Sequence, residues 1–174
     1  AVALLHRMGT VHGAVSLDTL RREPVENGQN ERTGNIRLLQ FPLGVDPHLV
    51  PQRVPTDTPE MIQRLARRAS FLAPELMLPG GVCDARSDVY AIGCVFHSLL
   101  TGSLACWQKD PQHTLSQAAL VGPAPLRPPL VPVPVASLIA TMVARDPAVR
   151  YATASEAAAA IATVIATSNI VAAA

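Results

Sequence analysis

The chain has 174 residues, of which 49% are hydrophobic and 16% charged, and its formal net charge is +1. This length is typical of a single domain, and the apolar content excludes intrinsic disorder as the main state. The low charge excludes nucleic-acid binding through a polybasic surface, which needs many more Lys and Arg residues. Aromatic residues make up 3% of the chain, so we expect a core of Leu, Val, Ile and Ala.

The three cysteines, Cys83, Cys94 and Cys106, have no CxxC spacing, and their pattern predicts neither a disulfide framework nor a metal site. Their odd number fits a reducing compartment, and no signal peptide is visible, so we predict a cytoplasmic location. Residues 157–174 carry no charge. Because Ala contributes little to membrane insertion, we interpret this segment as a packed terminal helix and regard a membrane segment as unlikely.

The first part of the chain predicts short elements separated by loops. Residues 1–9 resemble the end of a helix, and strand-like runs at 10–15 and 36–41 flank a polar, hairpin-like excursion at 23–35. The proline-rich stretch that follows is predicted to be an irregular loop from 42 to 59. Thr58 and Pro59 supply the N-cap and first residue of a short helix that reaches Ala69. Residues 72–82 are predicted to form a loop or a broken helix.

The second part predicts a helical bundle. Residues 87–100 are apolar on nearly all sides, which is typical of a buried central helix, and Gly102 ends it. The remaining expected features are a capping box at Thr114 and Gln117, an extended proline-rich connector at 122–134, an amphipathic helix at 134–145, and a capping box at Thr153 and Glu156 that opens a final Ala-rich helix. The predicted fold class is mainly α (α+β), with a small β-hairpin region.

Five separated segments share an order and spacing with one known family. They are HGAVSLDT at 12–19, Gln40-Phe41-Pro42, Ala73-Pro74-Glu75, RSDVYAIGC at 86–94 and RDPAVR at 145–150. They resemble the HRDLxxxN loop, the DFG and APE motifs, the central helix and the DPxxR motif of eukaryotic-type Ser/Thr protein kinases. The resemblance implies a kinase-like helical C-lobe across residues 1–174. No Gly-rich loop or VAIK lysine of an N-lobe occurs in the chain.

Within this lobe the resemblance divides the chain into three segments. Residues 1–44 correspond to the catalytic-loop and DFG-like region, residues 45–75 to the activation segment, and residues 76–174 to the helical subdomain. An N-lobe would have to be supplied upstream if the chain is a fragment.

The positions that handle protons and metal in active kinases have changed. The resemblance places Ala14 at the catalytic Asp, Thr19 at the magnesium-binding Asn and Gln40 at the magnesium-binding Asp. A methyl group accepts no proton, and an amide is a poor ligand for a hard dication. We therefore expect no catalytic residue, no metal site and no cofactor. Asp18, next to Thr19, is an alternative ligand, although an Asp here more simply favours a turn.

The positions that hold the fold in this family are kept. By resemblance, His12 and Phe41 stack in a hydrophobic spine, Asp88 bonds the backbone of the catalytic loop, and Glu75 pairs with Arg150. The residues Ala73 and Pro74 complete the APE motif.

Two further motifs have alternative interpretations. Ser70 follows Arg67 and Arg68 in a pattern typical of sites for basophilic kinases, and so is a candidate phosphorylation site. Alternatively these arginines, with Arg64, form a solvated basic face of a short helix. Residues 125–128 fit a PxxP ligand, but a plain linker between helices is the simpler interpretation.

The sequence thus predicts a kinase-like domain that is catalytically inactive and acts as a regulatory or protein-interaction module with an unidentified protein partner. The alternative is a divergent Ser/Thr kinase that binds ATP and magnesium through an upstream N-lobe. A third hypothesis, an unrelated Ala-rich helical domain, predicts that Glu75 and Arg150 lie far apart. Since the face left by a missing N-lobe would be apolar, we also expect the free chain to associate.

Overall fold

The computed structural model describes residues 1–24, 34–39 and 58–167. Among these residues, the helices and strands are α1 (Val2–Arg7), β1 (Leu20–Pro24), β2 (Gly34–Leu38), α2 (Pro59–Ala69), α3 (Ala85–Thr101), α4 (Pro111–Leu120), α5 (Val133–Met142) and α6 (Ala154–Thr167). Single 3₁₀ turns lie at Leu17–Thr19, Pro74–Met77 and Pro147–Val149. The fold is mainly helical with one small antiparallel sheet, which confirms the predicted class.

Helix α3 is the centre of the structure. Asp84 caps its N-terminus by accepting a hydrogen bond from the Arg86 N–H at 2.7 Å, so the helix begins two residues before the predicted start. It ends at Gly102, whose φ of 72° is a left-handed conformation that suits glycine. Most of the helix is buried as predicted, but Leu99 at its last turn is 64% exposed.

Three apolar clusters hold the helices together, and two of them are built on α3. One cluster joins α3 to α5 and α6 through Val89, Leu138, Met142 and Ala157. A second joins α3 to the loop after α1 and to the segment after α2; its buried members include Val15, Phe71, Ala73, Tyr90 and Val95. The third joins α2 to α4 through Ala69 and Ala118, with Cys106 between them. The segments after α1 and after α2 are therefore both held against α3.

The strand predicted at 10–15 is wrong. These residues have no strand partner, because the N–H groups of His12 and Gly13 donate to the Asp88 carboxylate instead. The sheet pairs β1 with β2, from Leu20 opposite Leu38 to Pro24 opposite Gly34. The hairpin therefore exists, but its first strand begins at Leu20, and the residues between the strands lie outside the described ranges.

The capping predictions have mixed outcomes. Thr58 accepts from the Met61 N–H at 3.3 Å, which confirms the start of α2, and Thr153 accepts from the Glu156 N–H at 3.2 Å at the start of α6. The box predicted at Thr114 and Gln117 is wrong. Helix α4 begins one turn earlier, where Asp110 caps it, and Thr114 is fully buried inside the helix.

The connectors also follow the sequence pattern. Residues 72–82 contain only the short 3₁₀ turn, and residues 121–132 contain neither helix nor strand before α5 begins at Val133. The predicted loop at 42–59 lies outside the described residues up to 57, as do the boundary between 44 and 45 and residues 168–174. Within the described ranges, no helix has the length and hydropathy required to cross a bilayer.

Gly93 sets the distance between α3 and α5. A Cβ at this position would lie 2.7 Å from Val143 Cγ1 and 2.8 Å from Met142 Cβ. We expect Gly93→Ala to lower the free energy of unfolding by about 1–2 kcal/mol, because the overlap outweighs the gain in helix propensity. Urea unfolding checks this. The control is the reverse change at an exposed position of α6, Ala158→Gly, which measures the difference in helix propensity between Ala and Gly without any steric overlap. A Gly93→Ala protein more stable than wild type would contradict the close approach.

Candidate functional site

The carboxylate of Asp88 is buried and accepts three hydrogen bonds. Its Oδ2 accepts from the His12 N–H at 2.7 Å and from His6 Nε2 at 3.0 Å, and its Oδ1 accepts from the Gly13 N–H at 2.8 Å. The residue is 1% exposed. Buried charge is tolerated only when it is fully hydrogen-bonded. The first turn of α3 therefore fixes the backbone of the loop that follows α1.

His6 extends this connection to α6. Its Nδ1 accepts from the Ala154 N–H at 3.1 Å, so its Nε2 carries the hydrogen that it donates to Asp88. One imidazole thus links α1, α3 and the beginning of α6. Sequence reasoning did not assign His6 this role, because its partners lie 82 and 148 residues away and no local pattern signals them.

A second set of hydrogen bonds, made by the Thr19 side chain, holds the loop between Gly13 and Thr19. The Thr19 hydroxyl oxygen accepts a hydrogen bond from the Ser16 N–H at 2.9 Å. Its one hydrogen is shared between two backbone carbonyl oxygens, that of Ser16 at 2.9 Å and that of Ala14 at 3.2 Å. The side chain is 6% exposed. Thr19 therefore closes a tight turn within the loop. Ala14 presents only a methyl group beyond its backbone.

At the positions where the resemblance expects magnesium ligands, the described part of the loop offers Thr19. The Thr19 hydroxyl is engaged with the loop backbone, and no group of three or more His, Cys, Asp or Glu among the described residues could hold a metal ion. Gln40 and Phe41 lie outside the described residues, so the predicted stacking of Phe41 on His12 stays a prediction. The described donors do not fit the magnesium chemistry that the family resemblance implies.

A cavity of about 500 Å³ opens in front of the loop. The loop forms one wall, the segment after α2 contributes apolar surface from Phe71 and Ala73, and α3 contributes Ala91. Helix α2 adds three exposed arginines to the lining, namely Arg64, Arg67 and Arg68. The sequence pattern alone is compatible with a basic face of this helix that points into solvent. The structure places that face on a cleft.

Glu75 and Arg150 form a two-pronged ion pair. Arg150 Nη1 donates to Glu75 Oε1, and Nη2 donates to Oε2, both at 2.8 Å. The Arg150 side chain has no exposed surface. Its remaining N–H groups donate to backbone carbonyls, and its guanidinium lies 4.8 Å from the centre of the Tyr90 ring. This contact rules out the hypothesis of a helical domain in which the two residues are far apart.

Charge and hydrogen bonding keep Glu75 ionised. Burial alone raises the pKa of Glu75, but the hydrogen bonds and charge of Arg150, with a hydrogen bond from Ser87, outweigh burial and hold the pKa below its ordinary value of 4.5. The pair joins the turn that begins at Pro74 to the segment after α5.

Ser70 is inaccessible in this conformation, and the thiols of half-buried Cys83 and buried Cys106 are poor nucleophiles. Ser70 is fully buried, and its hydroxyl donates to the Ala66 carbonyl at 3.1 Å. Its phosphorylation stays a prediction, and it requires the end of α2 to open. Burial, with the nearby charge of Asp88, raises the pKa of Cys83 to about 11, and burial raises the pKa of Cys106 to about 12. Both thiols are protonated and weakly nucleophilic at neutral pH.

Replacing the buried Asp88 carboxylate tests its role in holding the loop. We expect Asp88→Asn to lower the free energy of unfolding by about 3 kcal/mol, because the amide cannot accept from three N–H donors. Chemical denaturation measures the loss. Asp110→Asn is the matched control, since Asn caps a helix about as well as Asp. Equal effects of the two substitutions would contradict the special role of Asp88.

The ion pair predicts a pH-dependent stability. A carboxylate with a lowered pKa stabilises the fold above its unfolded pKa, and this stability is lost as the pH falls through the folded value. We expect Glu75→Gln to cost about 2–3 kcal/mol at pH 7 and much less near pH 3, by urea unfolding at each pH. Glu23→Gln, in the exposed pair with Arg37, is the control and should cost less than about 0.5 kcal/mol. A cost for Glu75→Gln that does not change with pH would contradict the assignment.

No protein-family model matches the chain, but several curated proteins do. The chain is 33% identical over 135 residues to a probable serine/threonine-protein kinase PknB of Corynebacterium glutamicum, an alignment that covers 73% of this chain and 20% of that protein. It is 32% identical over 135 residues to a probable serine/threonine-protein kinase of Corynebacterium efficiens, covering 73% of this chain and 19% of the relative. It is 34% identical over 90 residues to the serine/threonine-protein kinase PknB of Mycobacterium leprae, an alignment that covers 51% of this chain and 14% of that protein. The chain therefore spans a fifth or less of the length of these relatives. By its sequence and its mainly helical architecture, the chain is related to the serine/threonine protein kinases and resembles their C-lobe.

Proposed function

We propose that this kinase-like lobe does not transfer phosphate and acts instead as a regulatory or protein-interaction module. The observation that carries the proposal is Ala14. It stands where the resemblance expects the Asp that accepts the proton of the substrate hydroxyl. Its methyl group has no lone pair, so this position cannot orient or deprotonate an alcohol.

The surroundings of Ala14 support the proposal. The two residues before it are held on Asp88 by backbone hydrogen bonds of 2.7 and 2.8 Å, so the loop cannot readily shift to bring another side chain to the same point. Thr19, at the expected metal-ligand position, uses its hydroxyl to close the loop. ATP and magnesium are therefore not expected as cofactors.

The interactions that keep the lobe folded are intact. Asp88 holds the loop, and Glu75 and Arg150 form a buried pair. A scaffold with these contacts can present a surface to a protein partner without any chemistry on its loop. This combination favours a binding role over a catalytic one.

The names of the relatives favour a second candidate function. They are serine/threonine-protein kinases, so this chain could be part of a divergent kinase that gains its N-lobe from upstream residues. In that case Asp18, which is exposed and adjacent to Thr19, is the nearest carboxylate available to replace a lost ligand.

Phosphoryl transfer tests the two candidates. We expect no transfer from radiolabelled ATP to a generic protein substrate, with magnesium or manganese, either by this chain or by the chain fused behind the N-lobe of an active Ser/Thr kinase. The physical reason is the absence of a proton acceptor at Ala14 and of a free metal ligand at Thr19. We expect no thermal shift of the chain with ATP and magnesium.

The control is the same fusion carrying Ala14→Asp, Thr19→Asn and Gln40→Asp, which restores the polar groups and reports whether the N-lobe is correctly joined. Metal-dependent transfer by the unmodified fusion, abolished by Asp18→Ala, would establish the divergent kinase and overturn the proposal.

A further inference from the structure

We propose that the cleft in front of the Ala14 loop binds a phosphorylated peptide segment of a protein partner through Arg64, Arg67 and Arg68. The inference rests on the proposed function, since it identifies the partner chemistry of the same site. It is carried by the position of three guanidinium-bearing side chains on one wall of a cavity of about 500 Å³.

The three arginines share one face of α2. Their spacings of three and four residues bring like charges together on the helix surface, which destabilises a helix unless an anion compensates. None of them forms an ion pair or a side-chain hydrogen bond in the described part of the chain. Arg67 and Arg68 lie in the last turn of α2, where the helix dipole stabilises a positive charge. Arg64 lies further from that end and gains little from the dipole. Glu60, one turn before Arg64, forms no ion pair with it, so an anionic ligand explains the set better.

The other described residues of the lining leave this positive charge uncancelled. Asp18 is its one exposed carboxylate among the described residues, against three arginines. The Asp88 carboxylate is buried and turned to the loop N–H groups. Ala14 adds no negative charge where the resemblance expects an Asp. A dianionic group entering the cleft therefore meets attraction from α2 without repulsion from Ala14.

A phosphate ester on a peptide fits this surface. Guanidinium groups bind phosphate through paired N–H donors, which gives both strength and geometry. Apolar surface from Val15, Phe71 and Ala73 also lines the cleft and suits the side chains that flank a phosphorylated residue. A nucleic acid fits less well, because binding along a polyanion needs a longer basic tract, and the chain has a net charge of only +1.

Fluorescence anisotropy with the whole chain tests the inference. The probe is a labelled twelve-residue peptide with one phosphothreonine between two valines, and its partner is the same peptide with unmodified threonine. In buffer of physiological ionic strength, we expect the phosphopeptide to bind at least about tenfold more tightly, because each charged hydrogen bond contributes enough for such a factor. Millimolar inorganic phosphate should compete with it.

Two matched variants locate the site. Arg64→Gln, Arg67→Gln and Arg68→Gln together should weaken phosphopeptide binding by about tenfold or more. Arg21→Gln with Arg22→Gln removes two exposed arginines of β1, outside the cleft, and should change binding by less than about twofold. Thermal unfolding of each variant verifies that it is folded. We expect the triple variant to melt close to wild type, because the like-charge repulsion that it removes offsets the lost interaction of Arg67 and Arg68 with the helix dipole.

Each other outcome overturns the inference. Equal affinity for the two peptides excludes phosphate recognition, and equal loss in both variants shows nonspecific attraction. A thermal shift of the chain with millimolar inorganic phosphate, but no phosphopeptide binding, limits the site to the free anion. Binding to phosphatidylserine vesicles but not to the phosphopeptide assigns the arginines to a lipid surface. These measurements contain no ATP, so a failure here leaves the proposed function intact, whereas phosphoryl transfer would overturn that function and leave the binding result unchanged.

Discussion

The buried carboxylate of Asp88 is the interaction on which the rest of the site depends. It replaces the strand partner that the backbone after α1 lacks, by accepting the N–H groups of His12 and Gly13. It also receives the hydrogen of His6, which in turn accepts from the first residue of α6. Helix α1 and the loop that follows it therefore meet α3 at this one side chain, and His6 extends the connection to the start of α6. A buried charge with three donors is costly to disturb, so the loop has little freedom to rearrange.

The residues beside Asp88 hold the other side of the cleft. The Ser87 hydroxyl donates to Glu75, and the carbonyl of Arg86 accepts from Arg150. Three consecutive residues at the start of α3 thus bind the loop, the turn that contains Glu75, and the segment after α5. This arrangement holds the segments that line the cleft in defined positions.

Much of the fold could be predicted from local patterns. Residues Thr58 and Pro59 signalled the start of α2, Gly102 signalled the end of α3, and the all-round apolar pattern of residues 87–100 identified the central helix. The errors arose where tertiary contacts compete with local preference. Residues near His12 do not form the predicted strand, because the His12 N–H donates a hydrogen bond to the Asp88 carboxylate of α3. Thr114 is not the predicted helix cap, because its side chain is buried inside α4.

The sequence by itself determined the family relationship, the mainly helical class and the residue types at the loop, because motif order and hydrophobic periodicity are properties of the chain alone. The substitutions Ala14 and Thr19 are visible there without any coordinates. Only the tertiary structure decided which contacts individual side chains make. Thr19 closes the loop, His6 joins three helices, and Arg64 faces a cleft rather than open solvent. These outcomes depend on contacts between segments up to 148 residues apart, and no local pattern encodes the distance between two such atoms.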